Sequence, residues 1–413
     1  MMIIKQEKWL QLILAIICMG SISSAQYVWT LLTQPFMHKL GIQLPSLQVT
    51  FALFIIFQTF FAPFQGKLID KFGPKRLIAL GVVLSGLSWV FSSQASSLIE
   101  LYLIYGCIGG LSTGIVYIGT IGLMVKWFPE RRGFATGMVA AGYGIGAVVT
   151  TFPIHEALLN WGLDKTLIVF GIIFSCIGLL ASLRLKTPQI TVVQHIQQSQ
   201  YQFNSKEMIK QPLFWLMFVM MTMMSTSGLM VTSQMASFSE SFGVSHTMVF
   251  GMAALPLALS LDRVMNGITR PLFGFVSDIC GREITMFVAF ALEGIAMFVW
   301  LLCRHDPVLF ILLSGIVFFG WGEIFSLFPA TLTDTFGTQH ATANYGWLYL
   351  SQGIGSIFGG PFAALLFQYT QDWSNVFYCA IFFDLITAFI AIIILKPWRY
   401  YFMNKYKKGY IDL

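Results

Sequence analysis

The sequence predicts an all-α membrane protein with about twelve transmembrane helices in two pseudo-symmetric six-helix bundles. Three observations predict it. First, the 413 residues are 56% hydrophobic and only 10% charged, where soluble domains carry about 25% charged residues. Second, the chain divides into apolar runs near the ~20 residues that cross a bilayer as a helix. Third, GKLIDKFGPKR at 66–76 recurs as GFVSDICGREI at 274–284, an offset of 208 residues.

Spans are expected at 9–33, 47–69, 76–95, 98–126, 133–154, 165–185, 212–236, 247–275, 284–302, 307–330, 341–368 and 374–396. The first run is too long for a signal-peptide core and no small-residue cleavage site follows it. Glycine-rich runs such as GCIGGLSTGIVYIG (106–119) and GIGSIFGG (353–360) let helix backbones approach closely in lipid. The six cysteines are scattered and form no CxxC or Cys/His cluster. No metal, cofactor or disulfide framework is therefore expected.

Lysine and arginine set the orientation. Lys71, Lys75, Arg76, Arg131, Arg132, Lys186, Lys206 and Lys210 fall in the loops after the even spans of the first half, and Lys396, Arg399, Lys405, Lys407 and Lys408 in the tail. The opposite loops hold little more than Lys39, Lys165 and Arg304. Both termini are expected to be cytoplasmic, in a multi-pass plasma or bacterial inner membrane. The net charge of +6 is mostly this bias, and no nucleic-acid partner is needed to explain it. The least apolar stretch, 186–211, reads as a cytoplasmic linker between bundles at 1–185 and 212–400, with a cytoplasmic tail at 401–413. Asn204 and Glu207 have the spacing of a capping box. A monomer is expected.

The repeated motif reads Gly-x-x-x-Asp-x-x-Gly followed by basic residues. A second match, AGYGIG (141–146) with SQGIG (351–355), falls at nearly the same offset. The halves therefore share one orientation, an architecture known among transporters with a midplane site. In the motif, glycine permits close helix approach and Asp sits at a helix end. The first copy resembles the signature loop of the major facilitator superfamily. Asp70 and Arg76, and in the second copy Asp278 and Arg282, are then conformational-switch residues.

Outside the loops and the span ends, six formal charges remain: Asp262, Arg263, Arg270, Glu293, Glu323 and Asp384. Ionisable residues at membrane depth are functional candidates. All six lie in the second half. The first-half equivalents of Arg270 and Glu323 are Ala62 and Ile115, so the repeat does not require them. Arg270 lies roughly 12 Å above Asp278 and Glu323 roughly 16 Å above Asp334, with Gln352 at similar depth. In a major facilitator fold, spans 8, 10 and 11 line the cavity, so these side chains are expected to meet there. Asp262, Asn266 and Arg270 share one face of span 8. Arginine's planar fork suits a carboxylate and keeps its charge, so Arg270 is the expected anion site. A structural ion pair with Glu323 or Asp262 is the alternative. A carboxyl in a partly dry cavity takes up a proton readily, which suits Glu323 or Asp262 for proton coupling. Glu293 and Asp384 fall on spans 9 and 12, peripheral in this fold; they could share a proton or lie against neighbouring helices, and a structural role is the expectation over a relay.

The segments QYVWTL (26–31), DKFGPKR (70–76), KWFPERRGFATG (126–137), AAGYGIG (140–146), NGITRPLFGFVSD (266–278), LFPATLTDTFG (327–337) and NYGWLYLSQGIGSIFGG (344–360) closely resemble the oxalate/formate antiporter family of the major facilitator superfamily, near the monocarboxylate transporters. The resemblance covers nearly the whole chain. It implies a carboxylate-binding arginine at Arg270 and an aromatic cage at Tyr27, Tyr117, Tyr143, Trp321 and Tyr349. Packing and interfacial belts are the alternative for each aromatic. The chain departs from the family at three positions. Gln352 stands where oxalate handlers carry a lysine, Glu323 where they carry a small residue, and Phe325 where they carry a cage tyrosine.

A buried dianion needs two cations, and Arg270 with an ionised Glu323 sums to about zero. A monocarboxylate with a proton on Glu323 fits better. The leading expectation is a secondary transporter, not an enzyme, carrying a small carboxylate with a proton by alternating access. The alternatives are a carboxylate exchanger, a transporter of a zwitterionic amino acid, and a non-transporting membrane sensor.

Overall fold

The computed structural model describes residues 2–188 and 202–408. Of the expected linker, residues 189–201 lie outside the described residues, as do 409–413 of the expected tail. At the linker's end Asn204 and Glu207 do form a capping box on the short helix Ser205–Met208.

Helix α1 is Met2–Tyr27, continued beyond Val28 by Trp29–Leu40. Helix α2 is Leu44–Phe60 and Ala62–Phe72, with a bend of 48° between them. Next come α3 (Pro74–Ser92) and α4 (Leu98–Trp127). Gly162, at φ 75° and ψ 178°, divides Arg132–Ser182 into α5 and α6. The second half runs α7 (Pro212–Ser241), α8 (Ala254–Cys280), α9 (Arg282–Leu302), α10 (Pro307–Phe336), α11 (Ala341–Thr370) and α12 (Trp373–Tyr406).

Among the described residues, nine helices are long and apolar enough to cross a bilayer, or ten if the bent α2 is one span. The remaining two of the expected spans have physical explanations. One is hidden because α5 and α6 run on through Gly162. The other is α8, whose Asp262, Arg263, Arg270 and Asp278 make it too charged to pass as apolar. The eighth span also starts later than expected. A hairpin of Met248–Val249 and Met252–Ala253 precedes it, turning through Phe250 and Gly251 at positive φ.

Gly73 and Gly281 end α2 and α8 in the same way. Their φ values are 87° and 94°, a region open to glycine, and their N–H groups donate to the carbonyls of Ile69 and Ser277. The repeated sequence motif is thus a repeated turn.

The helices form two compact units. The first is Met1–Pro129, Met138–Thr191 and Thr338–Leu350; the second is Glu130–Gly137, Val192–Gly337 and Ser351–Leu413. They differ from the sequence halves at two short segments. The start of α11 belongs to the first unit because Gly66 and Gly122 lie against Thr342, and Gly346 against the Ala62 backbone, with no room for a Cβ. The start of α5 belongs to the second because Gly133 lies against the Gly274 backbone and Gly137 against that of Arg270. The first unit's core centres on Trp29, Phe36, Phe54, Trp89 and Tyr105. In the second, Phe238 and Phe377 pack edge to face with each other and with Trp300, and Phe310 stands edge-on to Trp300. Exposed Phe152, Leu180, Ile279 and Leu302 suit a surface solvated by lipid.

Candidate functional site

Arg270 of α8 is 2% exposed. Its Nη2 donates to Asn266 Oδ1, one turn back, at 2.7 Å. Its guanidinium carbon lies 4.7 Å from the centre of the Phe325 ring. Phe325 is therefore a cation–π platform for the arginine.

The helix facing Arg270 is interrupted at the same level. α10 consists of Pro307–Trp321 and Ile324–Phe336, with Gly322 and Glu323 between. Thr269 donates to the Phe319 carbonyl, and a Cβ at Gly322 would strike Thr269 and Asn266. These contacts hold the break against α8 and fix Glu323 inside the unit.

Glu323 is 0% exposed and neither of its carboxylate oxygens has a hydrogen-bond partner. It lies within electrostatic reach of Arg270 and of Asp384, but no hydrogen bond joins it to Arg270 here. Asp262 is also buried, roughly 12 Å from Arg270 along α8, where it faces Ser314 and Arg263. The shared face of Asp262, Asn266 and Arg270 therefore exists, with Arg263 exposed beside it. Glu293 and Asp384, expected at the periphery, instead lie in the interior of the second unit near Glu323.

In the first unit, four expected cage residues come together. Tyr117 and Tyr349 stack with centroids 4.9 Å apart. Tyr143 stands edge-on to Tyr117 at 5.5 Å and to Tyr27 at 5.3 Å. Tyr143 donates to Gln26 Oε1 at 2.7 Å, and Gln58 Nε2 donates to the Tyr349 hydroxyl at 3.3 Å. Gln26 and Gln58 were not singled out in the sequence. Neutral and without a charge signature, they become visible only through these tyrosines. In the second unit, Trp321 donates its indole N–H to the Met224 carbonyl at 2.9 Å. Gln352 is partly buried and its amide oxygen accepts no hydrogen bond.

The two motif aspartates cap helix starts. Asp70 accepts from the Ala343 N–H at 2.9 Å and pairs with Lys126 at 3.0 Å. Asp278 accepts from the N–H groups of Gly133 and Phe134 at 3.0 and 2.9 Å and pairs with Arg282 at 2.6 Å. Both carboxylates lie at helix N-termini, where the backbone favours negative charge. Arg282 also reaches Asp334, which pairs with Arg132 as well. Arg76 does not take part. It is exposed and forms no ion pair among the described residues; Lys126 holds Asp70 instead. Lys126 and Asp334 are separated by the repeat offset of 208, a correspondence that could have identified both.

No group of His, Cys, Asp and Glu among the described residues is arranged to hold a metal.

The family model of the Major Facilitator Superfamily matches residues 12–265 and 257–409. The chain is 32% identical to the oxalate:formate antiporter of Oxalobacter formigenes over 93% of this chain and 90% of that protein. It is 20% identical to monocarboxylate transporter 9 of Mus musculus, covering 81% of this chain and 82% of that one. Among solved structures, the proton:xylose symporter XylE bound to 6-bromo-6-deoxy-D-glucose matches with a TM-score of 0.71 at 13% identity, over 95% of this chain and 96% of that one. That likeness concerns the fold.

Proposed function

The chain belongs to the Major Facilitator Superfamily, in the family of the oxalate:formate antiporter, and we propose that it carries a small monocarboxylate together with a proton by alternating access. The observation that carries this reading is Arg270: a permanent cation, buried at membrane depth on an aromatic face. Its fork is suited to a carboxylate. Asn266 orients it. Tyr27, Tyr117, Tyr143 and Tyr349 in the first unit, with Trp321 and Gln352 in the second, are the further substrate-binding residues in this proposal.

Charge favours a monoanion. Gln352 adds no second cation, and Glu323 adds a carboxyl within reach of Arg270. With a proton on Glu323, Arg270 is left to one negative charge. Asp262, on the same face of α8, is the second candidate for the proton. Asp70 and Asp278 act as switch residues with Lys126 and Arg282. In this proposal both termini are cytoplasmic, as the lysine and arginine bias favours, and the transporter is a monomer.

Exchange of two carboxylates is the second reading, favoured by the 32% identity to an oxalate:formate antiporter. Ligand-dependent stabilisation of the purified protein tests the substrate class. Ligands that bind the folded state raise its melting temperature. Monocarboxylates should do so and neutral amino acids should not. Stabilisation by oxalate above all others would favour the exchanger.

A further inference from the structure

We propose that Glu293, Glu323 and Asp384 form a single proton-holding site inside the second unit, where the three carboxyls share protons and Glu323 does not titrate alone. The proposal rests on the transport reading only for its use; the occupancy of the site can be tested without any substrate.

The three residues stand on α9, α10 and α12, and each is 0% exposed. Two glycines bring their backbones together. A Cβ at Gly320 of α10 would lie 2.7 Å from Glu293 Cβ, and one at Gly294 of α9 would lie 3.2 Å from Asp384 Cβ. Glu293 thus sits between α10 and α12, within electrostatic reach of both Glu323 and Asp384. Neither oxygen of Glu293 or Glu323 has a hydrogen-bond partner. An independent observation comes from α7. The Ser227 hydroxyl is fully buried, has no closed hydrogen bond, and faces Asp384. A polar group on a fourth helix is therefore turned into the cluster and left open there.

The surrounding charges decide what the site holds. The facing groups are Glu293 from α9, Glu323 from α10, Asp384 from α12, Arg270 from α8 and the Ser227 hydroxyl from α7. One cation cannot balance three ionised carboxylates away from water, where each unpaired charge costs several kcal/mol. Protons are the species that relieve this without further ligands. A hard metal ion needs six or more oxygen ligands, and no described group of these residue types is arranged for a metal. The scaffold does not require the carboxyls either, since the repeat-related positions are Ser85, Ile115 and Cys176. Glu323 is the member nearest substrate chemistry, through Arg270. A proton passing from Glu323 to an ionised Glu293 moves the negative charge the opposite way, so no net charge is created. Groups coupled in this manner titrate as a set.

The test is infrared spectroscopy of the full-length protein in liposomes, in H2O and D2O, reading the carbonyl band of protonated carboxyls. Wild type should show that band with slow deuterium exchange. Glu293→Gln and Asp384→Asn should each remove part of it and shift what remains, while Asp262→Asn removes its own part and shifts nothing. Ser227→Ala, a milder change, should move the band without reducing it. In carboxylate uptake, Glu293→Gln should displace the pH midpoint by about one unit. Absence of the band, or variants that each remove an isolated component and leave the rest unmoved, would overturn the proposal. So would uptake driven by a sodium gradient in place of protons. If wild type carries no carboxylate but the band behaves as described, the transport reading fails and the proton site stands.

Discussion

The interiors of the two repeats differ in kind. Where the second half places Arg270, Glu293, Glu323 and Asp384, the first places Ala62, Ser85, Ile115 and Cys176. The first unit instead gathers neutral hydrogen-bonding groups: Tyr117, Tyr143 and Tyr349 with Gln26 and Gln58. The turns at Gly73 and Gly281 and the helix-capping Asp70 and Asp278 are shared. The duplication thus preserved the mechanical parts, and one copy took on the charge. Under the proposed function, the charged residues would set affinity and proton coupling, and the neutral tyrosines and glutamines would adjust fit.

That division can be broken by experiment. Arg270→Gln should weaken carboxylate binding at least a hundredfold, about 3 kcal/mol, because it removes one partner of a buried charge pair. Tyr143→Phe removes a neutral hydrogen bond and should cost about 1 kcal/mol. Dissociation constants from titration calorimetry compare the two. Equal losses would mean that binding does not reside mainly in the second unit.

The shared mechanical parts also differ in degree. Asp278 accepts two backbone N–H groups and a buried arginine, Asp70 one N–H group and a lysine. Asp278→Asn should therefore lower the melting temperature more, losing about 3 kcal/mol against about 1 kcal/mol for Asp70→Asn. The reverse order would put the stronger latch in the first unit. The smallest effect separates the two cations near Asp70. Lys126→Ala should cost up to about 1 kcal/mol, and Arg76→Ala should stay within about 0.5 kcal/mol. A larger loss at Arg76 in thermal unfolding would mean that Arg76, and not Lys126, is the cation that supports this turn.

Much of this was legible in the sequence, for reasons specific to each residue. Apolar runs reveal spans because the bilayer fixes their length; α8, expected at 247–275, is among the most charged of them, and those charges make it a functional candidate. Arg270 stood out because charge at membrane depth is costly. The meeting of Tyr117, Tyr143 and Tyr349 followed from family resemblance, since no local spacing joins α4, α5 and α11. That Glu293 and Asp384 could share a proton was legible; their gathering with Glu323 was not. It depends on which faces of α9, α10 and α12 meet at Gly294 and Gly320, and contact between helices leaves no local pattern. Lys126 was missed because it lies at the end of α4, outside the repeated motif that singles out Asp70 and Arg76.

The decisive experiment is uptake of labelled monocarboxylates and oxalate into proteoliposomes, with and without an inward proton gradient, for wild type and Glu323→Gln. A proton gradient should drive monocarboxylate uptake by wild type. Glu323→Gln should lose that dependence while still exchanging substrate. Uptake that ignores the gradient and requires carboxylate inside the vesicle, with oxalate carried as well as monocarboxylates, would contradict proton-coupled monocarboxylate transport.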